Sequence, residues 1–259
     1  DEMRAQPRTA TFEAASPAVS LTLPARPSRL FGWLTALRRE DPGIFPLFGP
    51  ILVSQYANIA NGVIDTAMAA RLSTVELGGV AVGVALWMPI YMFVIGVLVS
   101  VLVSISHQTG AGDQDGVRRT AHQGIWLGCL LGLLAAGVIW LLSLRIEWFG
   151  ATGDLVAPAQ EYLRVVILGL PLGGMAVALR FYCEGQGKVL PVTVLAVLMV
   201  CWNAFFKYGL MFGNLGMPAL GLKGCGLATA LGMAAFFLML LGYVTLTPAQ
   251  AANRLFKGF

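Results

Sequence analysis

Apolar residues run along this chain in six long stretches, near residues 46–72, 78–106, 121–144, 158–183, 189–213 and 222–246. A helix crosses a bilayer core in about 20 residues, and each stretch meets that length. The separators carry residues that stop helices: Gly110-Ala-Gly-Asp113, Gly150-Ala-Thr-Gly-Asp154, Gly185-Gln-Gly-Lys188, and Gly213-Asn-Leu-Gly216 ahead of Pro218. The pattern predicts an all-α polytopic membrane protein with six transmembrane helices and short loops. Only the first stretch is interrupted in a regular way. Gln55, Asn58, Asn61, Gly62 and Asp65 recur at steps of three and four, which places them on one stripe of a helix.

Composition agrees with the pattern. Hydrophobic residues make up 57% of the chain and charged residues 12%, with a mean hydropathy of +0.76, far from the balance of a soluble domain. The basic residues are scattered between apolar runs and form no continuous patch, so nucleic acid is not an expected partner. They report topology instead. Arg4, Arg8, Arg26, Arg29, Arg38 and Arg39 precede the first helix, Arg118 and Arg119 fall in the second connection, Lys188 in the fourth, and Arg254 and Lys257 after the sixth. The alternate connections hold only Arg71, Arg145 and Lys223. By the positive-inside rule both termini are expected in the cytoplasm, with the lipid bilayer of the inner (plasma) membrane around the helices.

Residues 1–42 are rich in Ala, Pro, Ser, Thr and Arg, which predicts a largely disordered cytoplasmic tail. Within it, residues 29–37 (RLFGWLTAL) are mildly amphipathic and suit the inner membrane surface. Residues 43–246 are expected to form one helical lobe, and 247–259 the start of a cytoplasmic linker. Cys129, Cys183, Cys201 and Cys225 lie in or beside apolar runs without CxxC spacing, and read as small buried packing residues. His107 and His122, isolated at helix ends, make neither a metal site nor a catalytic pair. With no HExxH, GxSxG or phosphate loop in the chain, an enzyme is not expected.

The candidate chemistry therefore lies in buried charge. A carboxylate at membrane depth costs roughly 2.5–3.5 kcal/mol on insertion scales, so Asp65 should face a cavity, a partner or an ion path. Asn203 and Lys207, one turn apart on the fifth helix, are the second such feature. At about 1.5 Å per residue, Asp65 lies roughly 28 Å along the first helix and Lys207 roughly 27 Å along the fifth. The two charges thus come to similar depth. Two readings stay open for Lys207: pairing with Asp65, or snorkelling of its long stem to the outer interface. Arg180 and Glu184 have the spacing of an intrahelical ion pair. Glu161, Tyr162 and Arg164 should mark the outer interface, and Gly79/Gly83 and Gly128/Gly132 are small-residue pairs suited to close helix approach.

An ordered series of short motifs carries a resemblance. Pro50 to Arg71 with Val63-Ile-Asp-Thr66, then Trp87-Met-Pro89, Gly110-Ala-Gly112, His122-Gln-Gly124, Arg180 with Glu184-Gly185, and Gly221 through Gly224-Cys-Gly226 to Ala228-Thr-Ala230 resemble the multidrug and toxic compound extrusion (MATE) family, in its NorM-type bacterial branch. The resemblance runs from about residue 43 to 246. It implies one lobe of a twelve-helix antiporter, whose substrate cavity lies between two six-helix lobes and opens alternately to either side. It places the Asp65–Thr66 pair on the cation or proton site of the N-terminal lobe. In the family pattern two asparagines stand at positions 203 and 207 and help form that site; here Asn203 matches and Lys207 departs.

The chain begins without methionine and ends soon after its sixth helix, so it is expected to be an N-terminal lobe lacking its C-terminal six-helix partner. The function expected is a multidrug efflux antiporter that exports organic, cationic compounds in exchange for protons or sodium. Asp65, Asn203 and Lys207 would serve coupling, with Gln55, Asn58 and Asn61 lining the cavity and no cofactor or metal beyond the coupling ion. Two alternatives are a lipid-linked oligosaccharide flippase of the related superfamily, against which Asp65 and the amide stripe argue, and a self-contained six-helix scaffolding membrane protein.

Overall fold

The computed structural model describes residues 44–149, 153–213 and 216–247. The tail over residues 1–42, its segment 29–37 and the linker beyond residue 247 lie outside the described residues. So do the side chains of Ile44 to Phe48, Pro50, Ile51, Asn58, Trp148 and Phe149.

Among the described residues six helices follow one another: α1 (Ile44–Leu72), α2 (Thr74–Gly110), α3 (Gln114–Ser143), α4 (Val156–Gly185), α5 (Val189–Phe212) and α6 (Leu222–Leu246), with two short 3-10 turns, Ile146–Phe149 and Gly153–Leu155, before α4. Lipid offers no partner to a backbone N–H or C=O, so a spanning segment closes its own hydrogen bonds as a helix. Five of the helices, α2 to α6, are long and apolar enough to cross a membrane by length and composition. The exception is α1, which is long enough but diluted by its polar stripe.

Two of the helices begin well before the apolar runs that predict them. α2 begins at Thr74 rather than near 78, because the Ser73 hydroxyl accepts from the Glu76 N–H at 3.1 Å and caps the first turn. α3 begins at Gln114 rather than near 121, where an Asp113 carboxylate oxygen accepts from the Gly116 N–H at 2.9 Å. Caps of this kind satisfy backbone donors that the first turn leaves open. α5 ends at Gly213, whose φ of 72° is the left-handed conformation that closes a helix C-terminus.

α4 is the central element, packed by α3, α6 and α2 and buried along most of its length, while α2, α3 and α5 turn most of theirs outward. Glycines set its spacing. A Cβ at Gly128 of α3 would meet the Gly174 carbonyl of α4, and one at Gly132 would stand 2.6 Å from the Pro171 Cα. On the other side, a Cβ at Gly169 would stand 2.6 Å from the Ala230 Cα of α6, and one at Gly79 of α2 would be 2.8 Å from the Pro158 Cβ. Backbone thus touches backbone, which is how helices gain packing energy where lipid gives no hydrophobic drive. α5 and α6 meet in the same manner, since a Cβ at Gly224 would stand 2.6 Å from the Leu210 carbonyl carbon. α1 stands apart: a Cβ at Gly49 or Gly62 would meet nothing within 4 Å, and its neighbours are α5 and, less extensively, α2.

Two expectations need correction. Tyr162 does not mark an interface; it is 1% exposed, at the meeting of α2, α4 and α6. The cysteines are not uniformly buried: Cys183 and Cys225 are, Cys129 is partly so, and Cys201 is exposed.

The glycine contacts predict a paired result. Gly128→Ala forces α3 off α4 and should cost about 1–3 kcal/mol, as overpacking does. Gly137→Ala, exposed on the same helix with nothing within 4 Å of the added carbon, should be neutral or slightly stabilising. Thermal unfolding of the two purified variants in detergent checks this.

Candidate functional site

Asp65, on the polar stripe of α1, meets α5. Lys207 of α5 donates from Nζ to Oδ1 of Asp65, an ion pair between helices 142 residues apart in sequence. Of the two readings left open for Lys207, the structure has pairing. Its side chain is 0% exposed against 19% for Asp65, so the ammonium is sealed in while the carboxylate keeps one open side. Nearer the start of both helices, Ser54 of α1 donates to Oγ1 of Thr193 on α5 at 3.1 Å, and Thr193 in turn donates to the Val189 carbonyl at 3.0 Å. The two cross-links occur in the same order on both helices, so α1 and α5 run parallel. Short connections alternate helix direction, and the first and fifth helices share one.

The other anticipated residues fall into three groups. Asn203, one turn before Lys207, is buried against α6, its Nδ2 3.4 Å from where a Cβ of Gly232 would lie. Asn61, one turn before Asp65, is half-buried. The Oδ1 atoms of both Asn61 and Asn203 are buried with no hydrogen-bond partner among the described residues. Gln55 is exposed, as is Thr66, whose hydroxyl bonds back to the Gly62 carbonyl at 3.0 Å. The side chain of Asn58 lies outside the described residues. Away from the site, Arg180 and Glu184 form the expected i,i+4 pair at 2.7 Å, and Lys223 and Glu161 join α6 to α4 at 3.0 Å near the opposite end.

Sequence reasoning missed the aromatic floor of the site. Tyr162 of α4 accepts a hydrogen bond from Trp87 Nε1 of α2 at 3.2 Å, and Trp87 packs on Tyr91 with ring centroids 5.5 Å apart. Tyr162 is also close enough to Asp65 to feel its charge, and Cys225 of α6 lies within the field of both Asp65 and Lys207. A signal was present. Gly83 and Trp87 share one face of α2 at i,i+4 spacing, and the Tyr162 ring fills the space above Gly83, 2.5 Å from where its Cβ would be. The small residue made room for a large one, but no rule of sequence names that partner.

Among the described residues the site is thus an ion pair held between two parallel helices, with two unpartnered amide oxygens one turn away and a partly exposed carboxylate that can take up or release a proton.

Comparison with known proteins gives a consistent result. The MatE family profile matches residues 50–209. "Multidrug resistance protein PmpM" of Pseudomonas aeruginosa is 34% identical over 222 residues, covering 85% of this chain and 46% of that protein. The chain spans about half the length of the curated relatives it matches. Among solved structures, a multidrug resistance MATE family transporter in its outward-facing conformation superposes with a TM-score of 0.69 at 21% identity, covering 76% of this chain and 43% of that one. The inward-facing conformation gives 0.68 at 20% identity, covering 77% and 46%. The lobe fold fits both conformations alike.

The pair has a thermodynamic signature that separates it from two incidental charges. Lys207→Met leaves Asp65 buried without its partner and should cost about 3–5 kcal/mol, whereas removing both charges in Asp65→Leu/Lys207→Met should recover most of that loss. Thermal unfolding in detergent of the two single variants and the double gives the coupling directly.

Proposed function

The chain belongs to the MatE family, a family of transporters and not of enzymes, and from that premise we propose that residues 43–246 are the N-terminal lobe of a two-lobed multidrug efflux antiporter. Organic cations are its substrates, and protons or sodium drive it by alternating access. Residues 1–42 then form a cytoplasmic tail and 247–259 the start of the linker to a second lobe, in the inner membrane and with both ends of this lobe in the cytoplasm.

The observation that carries this reading is the Asp65–Lys207 pair, a charged couple held between two membrane-length helices with one side open. A buried pair adds little stability over apolar residues packed in its place, so a charged couple kept at membrane depth points to a use beyond packing. Repeats of this kind place binding sites near the midplane, at or beside the interface of the two halves. Asp65, Asn203 and Lys207 are assigned to coupling. Gln55, Asn58 and Asn61 line the cavity side of α1, where an acid and amides suit a cationic substrate. The same acid disfavours the pyrophosphate of a lipid-linked oligosaccharide.

Two outcomes test the proposal. The two-lobed protein should lower ethidium accumulation in cells stripped of their own exporters, and Asp65→Asn should abolish this while membrane levels are unchanged. Undiminished efflux by a well-expressed Asp65→Asn protein overturns the coupling assignment. The 259-residue chain alone should insert but leave accumulation at the level of empty cells. Efflux by the chain alone would overturn the need for a second lobe.

A further inference from the structure

We propose that Lys207 is itself the cation of the α1–α5 site, a tethered ammonium that leaves no place for a free alkali-metal ion. The inference rests on reading that site as the coupling site, and it names the ion: the proton rather than sodium.

Charge is the first ground. Asp65 and Lys207 cancel, and the Tyr162 phenol from α4 and the Cys225 thiol from α6, which interact with the pair, are uncharged in their ordinary forms. The pair is neutral without any further ion. A sodium ion entering beside Asp65 would meet the ammonium at close range, in surroundings where like charges repel far more strongly than in water.

Donor and acceptor numbers are the second ground. A lysine ammonium has three N–H donors and no acceptor. Asp65 Oδ1 takes one of them, and Asn61 Oδ1 and Asn203 Oδ1, each one turn before its helix's charged residue, are buried acceptors without a partner among the described residues. A hard cation would look for the same set, a carboxylate and amide oxygens. The chain has placed an ammonium on that carboxylate, one helical turn from each of the two amides. Because Lys207 is 0% exposed, it cannot vacate the set by swinging into solvent as a surface lysine would.

Removal of the tether should therefore open the site. Lys207→Asn takes away the positive charge and adds an amide oxygen, and its shorter side chain leaves room beside the Asp65 carboxylate, one turn from the Asn61 and Asn203 amides. The test is thermal unfolding of the purified chain in detergent, with sodium chloride titrated against choline chloride at constant ionic strength. The parent should show no saturable response to sodium. The Lys207→Asn variant should gain a saturable upward shift of several degrees, and the added Asp65→Asn change should erase it.

A saturable sodium response in the parent that Asp65→Asn removes would overturn the proposal, and so would a folded Lys207→Asn variant blind to sodium. If that variant does not fold, the parent titration still decides, and Lys207→Gln supplies the second arm. None of these readings needs a transported drug. A sodium-blind parent together with absent efflux would overturn the export reading and leave this one standing.

Discussion

Charge inside a low-dielectric slab must find opposite charge, and between α1 and α5 the contact of Asp65 with Lys207 answers that demand. Asp65 and Lys207 would each cost roughly 2.5–3.5 kcal/mol if inserted alone. Placed about 4 Å apart at an effective dielectric near 20, they attract by on the order of 4 kcal/mol before desolvation is subtracted. That is enough to make each tolerable only in the presence of the other. The pairing fixes more than two side chains. It sets the register of α1 on α5, and with the Ser54–Thr193 bond it holds the two helices parallel.

The rest of the lobe is held by different means. α2, α3, α4 and α6 meet through glycines whose added Cβ would run into a neighbouring helix, at Gly79, Gly83, Gly128, Gly132 and Gly169. Such contacts are short-ranged and dense, and they do not respond to charge. α4 gathers them, with Leu163, Val166, Leu170 and Leu179 fully buried along its length. Tyr162 links the two regimes, since its ring lies in the glycine-lined seam with α2 while its hydroxyl, bonded to Trp87, sits within the field of Asp65.

Much of this was legible in the residues. The six helices follow from apolar length, and the pairing of Asp65 with Lys207 was one of two open readings because helical rise alone brings them to similar depth. Helix ends were less legible. Hydropathy reports where a helix is in lipid, whereas Ser73 and Asp113 report where it starts, and the polar turns between belong to the helix without belonging to the span. Tyr162 was misplaced for a related reason. Flanked by Glu161 and Arg164 it has the local pattern of an interface aromatic, and only the space above Gly83, on another helix, takes it inside. The exposure of Gln55 was equally out of reach, because a stripe tells which residues share a face but not how far along the helix its neighbour covers that face.

The contrast between the two kinds of contact sets α1 apart. A Cβ added at either of its glycines would meet nothing within 4 Å, its neighbours are chiefly α5 and, to a lesser extent, α2, and Asp65 and Ser54 tie it to α5 by side-chain bonds. Toward its C-terminal end Ala69 is fully buried and Met68 and Leu72 pack on the core, so that end is anchored by apolar contact. Between Ser54 and Ala69 the attachment of α1 includes an ion pair, the one kind of contact whose strength depends on charge. Neutralising Asp65 would remove the Coulomb attraction to Lys207 and would not alter the glycine seams among the other helices, where uncharged backbone meets uncharged backbone.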